Sequence, residues 1–227
     1  MFINSATLYD IIYGYKDYAT EAAKVHDLLA TRLRSGGRAL LDVGCGTGTH
    51  AQHLRAHYAP LTLLDLDAGL LAIAHTRLPD VTTVQADMAT FALDQSFDAI
   101  VCLFSAIGYV ASVERLNATL QRFAHHLAPV GVVLVEAWFY PEQFDTRGVY
   151  TRTINLPELK ITRMNANRVE GRLSFLDFHY LVGTPDGVNY FTHDEYLAAF
   201  AQAKLAVEYD SKGLDGRGLY IGTKALA

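Results

Sequence analysis

Cysteine is scarce in this chain. Cys45 and Cys102 are the only two in 227 residues, and they lack Cys-x-x-Cys spacing. That argues against a disulfide framework and a cysteine-built metal site. His50 and His53 lack a third ligand, so no metal is expected. No lysine or arginine cluster stands out, and the formal net charge is −5. Nucleic-acid binders neutralise phosphates with such clusters, so no nucleic-acid partner is expected. No apolar run approaches the roughly 18 residues of a membrane span. The start, Met1 to Ala6, has neither a basic nor an apolar targeting segment. The expectation is a cytoplasmic protein without a membrane partner. Repeats, low-complexity tracts and linkers are also missing, so 1–227 reads as a single domain.

What is present is ordinary globular material, 51% apolar and 19% charged. Residues 8–18 hold four tyrosines, Tyr9, Tyr13, Tyr15 and Tyr18. Ala22, Val25, Leu28, Leu29 and Leu33 then recur at helical spacing, ending at Ser35-Gly36-Gly37. Strand and helix patterns alternate over roughly 38–136. The helices include one over 112–127 with Val113, Leu116, Leu120, Phe123 and Leu127 on one stripe; the fifth strand falls at about 132–136. This predicts a doubly wound α/β parallel sheet. Over 147–191 the periodicity becomes antiparallel around Pro185-Asp186-Gly187. Thr192-His193-Asp194-Glu195 then forms a capping box, followed by strands at about 205–210 and 218–224. The organisation expected is an N-terminal lid and helix (1–37), a core (38–146 and 192–227) and an inserted antiparallel layer (147–191).

The stretch Leu40-Leu41-Asp42-Val43-Gly44-Cys45-Gly46-Thr47-Gly48-Thr49 carries the chemistry. A buried strand breaks into glycines that let the backbone turn and approach a ligand. A helix N-terminus there is expected to offer free N–H groups. The dinucleotide fingerprint Gly-x-Gly-x-x-Gly fails because position 49 is threonine, and no Gly-Lys-Ser/Thr loop is present. Asp42 opposes a pyrophosphate but suits a ligand with cationic groups. Asp65, ending the second strand, can accept from both ribose hydroxyls. Asp87 after the third strand can accept from an adenine amino group, with Met88 on the ring, and Phe104 after the fourth can close the pocket.

This constellation resembles the class I S-adenosylmethionine-dependent methyltransferases. The residues carrying it are Leu41 to Gly48, Leu64-Asp65-Leu66, Ala86-Asp87-Met88 and Phe97-Asp98-Ala99-Ile100. The resemblance implies a Rossmann-like, seven-stranded, mostly parallel sheet with the antiparallel layer inserted after strand 5. It implies S-adenosylmethionine as methyl donor and S-adenosylhomocysteine as product. The donor site it implies is Tyr18, Asp42, Gly44, Gly46, Gly48, Asp65, Leu66, Asp87, Met88, Leu103 and Phe104.

Tyr9-Asp10-Ile11-Ile12-Tyr13, Leu103 to Tyr109, Glu136 to Glu142 and Gly216-Arg217-Gly218-Leu219 further resemble the small-molecule members, among them N,N-dimethyltransferases of nucleotide-linked amino sugars. That implies an acceptor site with Tyr13 near the amine, Trp138 and His179 in the wall, and Arg217 near phosphates. Tyr13 is the candidate catalytic residue, although a phenol of pKa about 10 is a weak base. His50 reads as a helix-surface residue, and His125 and His126 as cations complementing a helix end. The chain departs from the amino-sugar pattern at Phe175, where an arginine is expected, and in its short return strand after Gly187. No Asn-Pro-Pro-Tyr or Pro-Cys follows the fourth strand, which disfavours base methylation. A small-molecule acceptor, N-methylation and a monomer or homodimer are expected. The alternatives are O-methylation, an NAD-type oxidoreductase and a non-catalytic donor-binding protein.

Overall fold

The computed structural model of the protein describes residues 6–184, 191–214 and 216–224, and only the backbone of Thr7. The Pro185-Asp186-Gly187 turn and the strand expected from Val188 lie outside the described residues. The chain divides into two compact units, Met1–Leu156 with Lys160–Val182, and Pro157–Leu159 with Gly183–Ala227.

The first unit opens with two helices, α1 (Ala6–Tyr13) and α2 (Tyr18–Ala30). Asp17 caps α2 by accepting from the Thr20 N–H at 3.0 Å. The helix ends before the glycines at 36 and 37, because Thr31 closes it: its hydroxyl donates to Asp27 O and Leu28 O. Then follow β1 (Leu40–Val43), α3 (Thr49–Leu54), β2 (Leu61–Asp65), α4 (Ala68–Arg77), β3 (Thr82–Gln85), β4 (Phe97–Cys102), α5 (Val113–His126) and β5 (Leu127–Val135). The five strands form one parallel sheet in the order β3-β2-β1-β4-β5. Chain order reverses beside β1, so β1 and β4 flank the crevice where such sheets bind ligands.

Strand alternation feeds two cores. Leu40, Leu63, Ala99 and Val101 pack on one face with α2, α3 and α4. Leu41, Val43, Ile100 and Cys102 pack on the other with Phe97 and Phe123. Burial on both faces is why these strands read as continuous apolar runs.

The α5 stripe differs from the expected one. Val113 and Leu120 are exposed, and Thr119, Phe123 and His126 are buried at i, i+4, i+7. His126 Nε2 accepts from the Leu93 N–H at 2.9 Å, and its Nδ1 lies 2.7 Å from Arg122 O. Accepting at Nε2 requires the neutral ring, so His126 is a core hydrogen-bonding residue rather than a helix-end cation.

After β5 come β6 (Val149–Asn155), β7 (Lys160–Glu170) and β8 (Leu173–Gly183), forming a separate sheet in that order, with β6 and β7 antiparallel. This is the antiparallel layer the sequence predicts. In the second unit, Thr192 caps α6 (His193–Gln202) through the capping box, and β9 (Leu205–Asp210) pairs antiparallel with β10 (Leu219–Lys224). Among the described residues the parallel sheet therefore has five strands and not seven: the two closing strands pair only with each other. Among them, too, no helix is long and apolar enough to cross a membrane.

Candidate active site

A cavity of about 680 Å³ opens at the C-terminal ends of β1, β2 and β4, within the roughly 300–1,000 Å³ of small-molecule sites. The glycine loop forms its floor. Gly44, Gly46 and Gly48 have φ of +70°, +57° and +75°. At Gly44 a Cβ would stand 2.5 Å from Ala106 Cβ, so both conformation and space demand glycine.

Four of the loop amides are taken up within the protein. Gly44 and Cys45 donate to Leu64 O, Gly46 to Asp65 Oδ2, and Gly48 to Cys45 O. With these four amides engaged and carboxylates beside them, the loop is a poor seat for a pyrophosphate.

Asp42 is buried and lines the cavity. Burial, with a smaller contribution from Asp65, pushes its carboxyl up to about 7. Asp65 accepts from the Gly46 N–H at 2.8 Å and the Asp67 N–H at 2.9 Å. Burial raises it too, against those hydrogen bonds. Each of its oxygens keeps a lone pair for a ligand hydroxyl. Leu66 lies at the rim, largely exposed. Asp87 lines the cavity with Met88, but it is engaged: Oδ1 accepts from the Ala89 N–H at 2.8 Å, and Arg115 pairs with it at 2.7 Å. These bonds hold its carboxyl below the usual range.

The N-terminal segment covers the cavity. Tyr9, Tyr13, Lys16 and Tyr18 all line it. Burial lifts Tyr9 and Tyr18 above the phenol range, and Tyr13 as well, where Arg163 opposes the rise. Leu103 and Phe104 form the wall at the end of β4. Phe104 and Ser105 have φ of +50° and +59°, a conformation that costs side-chain-bearing residues energy. It is held by Glu136 accepting from the Phe104 N–H at 2.6 Å and by Ser105 Oγ donating to Ala137 O at 2.8 Å. The result sets the Phe104 ring edge-on to Tyr13 at 5.2 Å and beneath Lys16 Nζ at 4.2 Å.

The far wall comes from the inserted sheet. Trp138 lines the cavity and donates from Nε1 to Ser174 Oγ at 2.8 Å. On β8, Ser174, Leu176, Phe178 and Tyr180 share one face, and Leu176 and Phe178 reach the cavity. His179 belongs to the opposite, exposed face, so its expected place in the acceptor wall is corrected. Phe175 shares that outer face, stacked by Arg168 at 3.9 Å, so the substitution noted there points away from this cavity. Arg217 lies exposed in the turn before β10, in the second unit.

S-adenosylmethionine fits these residues. A buried carboxyl, Asp42, beside a half-buried one, Asp65, both raised by desolvation, favours a ligand bringing positive charge, and that donor carries an ammonium and a sulfonium. Among the described residues no three His, Cys, Asp or Glu side chains converge to hold a metal.

The methyltransferase-domain family matches residues 40–131. The chain is 38% identical, over 98% of its own length and 99% of the relative's, to dTDP-3-amino-3,4,6-trideoxy-alpha-D-glucopyranose N,N-dimethyltransferase of Streptomyces venezuelae. It is 40% identical to dTDP-3-amino-3,6-dideoxy-alpha-D-glucopyranose N,N-dimethyltransferase of Streptomyces fradiae, over 96% of this chain and 89% of that one. Its fold is similar to that of the S-adenosylmethionine-bound amino pentose methyltransferase CalS10 of Micromonospora echinaspora, with a TM-score of 0.68, 32% identity and 96% and 97% of the two chains covered. This protein belongs to the S-adenosylmethionine-dependent methyltransferases.

Sequence reasoning about this methyltransferase missed several cavity residues. His50 is buried, not on a helix surface; its Nε2 lies 2.8 Å from Glu21 Oε2, and Glu21 also takes Lys16 Nζ at 2.7 Å. Burial lowers His50 below the usual imidazole range, with Glu21 opposing. Tyr109 and Glu136 also line the methyltransferase cavity. Both lie in segments that had carried the resemblance, which was the available signal. Nothing local in the sequence marks His50 or Arg163, because both are positioned by elements distant in the chain.

Proposed function

We propose that this methyltransferase N-methylates the amino group of a nucleotide-linked amino sugar. One observation carries the reading: the likeness to the dTDP-amino-sugar N,N-dimethyltransferases spans nearly the whole chain, inserted sheet included, and not only the donor-binding half. When bound, S-adenosylmethionine supplies a methyl carbon already activated by positively charged sulfur.

The chain's own residues then have two tasks, to orient the acceptor and to exclude water. In this reading Asp42 and the loop Gly44, Gly46 and Gly48 hold the methionine end. Asp65 with Leu66 takes the ribose, and Asp87 with Met88 the adenine. Tyr18, Leu103 and Phe104 close over the donor. Tyr13 orients the acceptor amine, and Trp138 and Phe178 form its wall. Burial raises Tyr13, which makes it a poor base for activating a hydroxyl. A neutral amine needs no such activation, which favours nitrogen over oxygen as the acceptor atom.

The test is methyl transfer to dTDP-3-amino-3,6-dideoxyglucose, followed by mass spectrometry for one and two added methyl groups. Transfer to this amine, and none to the corresponding 3-hydroxy sugar, is the expected result. Transfer only to the hydroxy sugar would overturn it.

A further inference from the structure

Arg163 is the least accounted-for charge in the first unit. It stands on β7 directly opposite Arg152 on β6, so the two share one face. Like charges placed this way repel, yet neither is in an ion pair among the described residues. Arg152 stacks over Tyr15 at 3.7 Å. The Arg163 guanidinium lies 5.4 Å from the Tyr13 ring and 5.0 Å from the Phe178 ring, both cavity residues. Its Nε and Nη1 are fully buried without a hydrogen-bond partner; the guanidinium's hydrogen bonds are to the Tyr13 and Tyr180 hydroxyls, which bring no counter-charge. Removing a charge from water without a counter-charge is costly.

We propose that Arg163 is a positioning residue whose unpaired charge, set behind Tyr13 and Phe178, keeps the bound acceptor amine neutral and therefore reactive. The inference rests on the amine-acceptor reading above. An ammonium cannot attack carbon, because its lone pair holds a proton. A fixed cation behind the acceptor wall penalises the ammonium, so the proton leaves to solvent as the acceptor binds. No protein base has to take it, which suits a site whose phenols are raised by burial. At a separation of about 6–8 Å and an effective dielectric near 20, one unit charge lowers the amine's pKa by about one to two units.

Other charged and titratable groups on this side of the cavity do not replace it. Lys16 is paired with Glu21, and Glu136 accepts from the Phe104 N–H. Tyr9, Tyr13, Tyr109 and Tyr180 are all held above the usual phenol range. Asp42, Asp65 and His50 lie along the glycine-loop side and stay the same in every variant compared.

The experiment has two readouts. The first is the pH profile of kcat with the amino-sugar nucleotide above. Arg163→Gln should move the acid limb up by about one unit, a roughly tenfold loss near neutral pH. Its high-pH plateau should equal or exceed that of the wild type, because positive charge develops on nitrogen during transfer. Arg163→Lys should restore the wild-type limb. A uniform loss at all pH values, or an unmoved limb in a variant that still binds donor, overturns the proposal.

The second readout needs no turnover and no variant. It is the proton release measured by calorimetry, in buffers of different ionisation heat, when the acceptor binds the complex with S-adenosylhomocysteine. Midway between the free amine's pKa and its lowered bound value, the wild type should release about half to four-fifths of a proton per site; binding without release there overturns the proposal. If the wild type neither binds nor methylates the acceptor, the underlying reading fails instead.

Discussion

Asp10 and Arg77 tie the N-terminal cover to the body of the enzyme. Asp10, on α1, accepts from Arg77 Nη2 at the end of α4 and from Thr47 Oγ1 at 2.6 Å. Arg77 Nη1 reaches back to the Thr47 carbonyl and to Thr49 Oγ1. One network therefore joins the cover, the glycine loop and the end of α4. Anything that loosens α1 also loosens the loop beneath the donor.

Asp10→Asn should free that cover. The expected outcome is faster release of S-adenosylhomocysteine, with affinity reduced by about 1–3 kcal/mol, the scale of a hydrogen bond to a charged group. Stopped-flow fluorescence of product release measures it directly. An unchanged release rate would show that the cover is held by its tyrosines alone.

Asp42 gives the free enzyme a pH signature. Its folded carboxyl is raised to about 7 from an ordinary 3.8, so the native state holds a proton that the unfolded chain has lost between those values. Stability attributable to Asp42 is thus fully present below about 4 and is lost as pH rises toward 7. Melting temperatures of the donor-free enzyme should fall over that window. Asp42→Asn should flatten the fall, and saturating S-adenosylmethionine should shrink it in the wild type. A profile identical in wild type and variant would rule out the buried carboxylate as its source.

Asp65→Ala should weaken donor binding by about 1–3 kcal/mol. It should also lower stability, because it removes the acceptor for the Gly46 and Asp67 amides. Calorimetry with S-adenosylmethionine checks the first effect and thermal denaturation the second. Full donor affinity in a folded variant would contradict the ribose assignment.

Gly44→Ala combines a positive φ with a Cβ 2.5 Å from that of Ala106. A loss of more than about 1 kcal/mol in stability is expected, along with loss of donor binding. The double variant with Ala106→Gly should recover part of it, since only the clash is relieved. No recovery would assign the whole cost to the backbone.

The two faces of β8 should separate in kinetics. Phe178→Ala is expected to raise KM for the acceptor several-fold while leaving donor affinity in place. His179→Ala, on the outer face, should leave both nearly unchanged. Equal effects of the two substitutions would contradict the strand's orientation.

The parallel core was legible because its determinants are local. Continuous apolar strands, glycine spacing and carboxylates at the ends of the first three strands follow from alternation and turn chemistry, and the structure brings Asp42, Asp65, Asp87 and Phe104 to one crevice. The same local rules identified the antiparallel layer and the Thr192 capping box. Local pattern failed where a neighbour distant in sequence decides. The α5 stripe fell on Thr119 and His126 because the Leu93 amide needed an acceptor. His50 became a buried residue because α2 brings Glu21 to it. The glycine-loop amides turned to Leu64 and Asp65 rather than outward, which only the β1–β2 register can dictate. His179 faces away because the pleat fixes its side relative to Phe178, while the sequence did not say which side meets the cavity. Sequence determined the donor class and the sheet that holds it. Tertiary structure decided which side chains line the cavity beyond the glycine loop, and it set an arginine without a counter-charge behind Tyr13 and Phe178, because a missing counter-ion is visible only once every neighbour is in place.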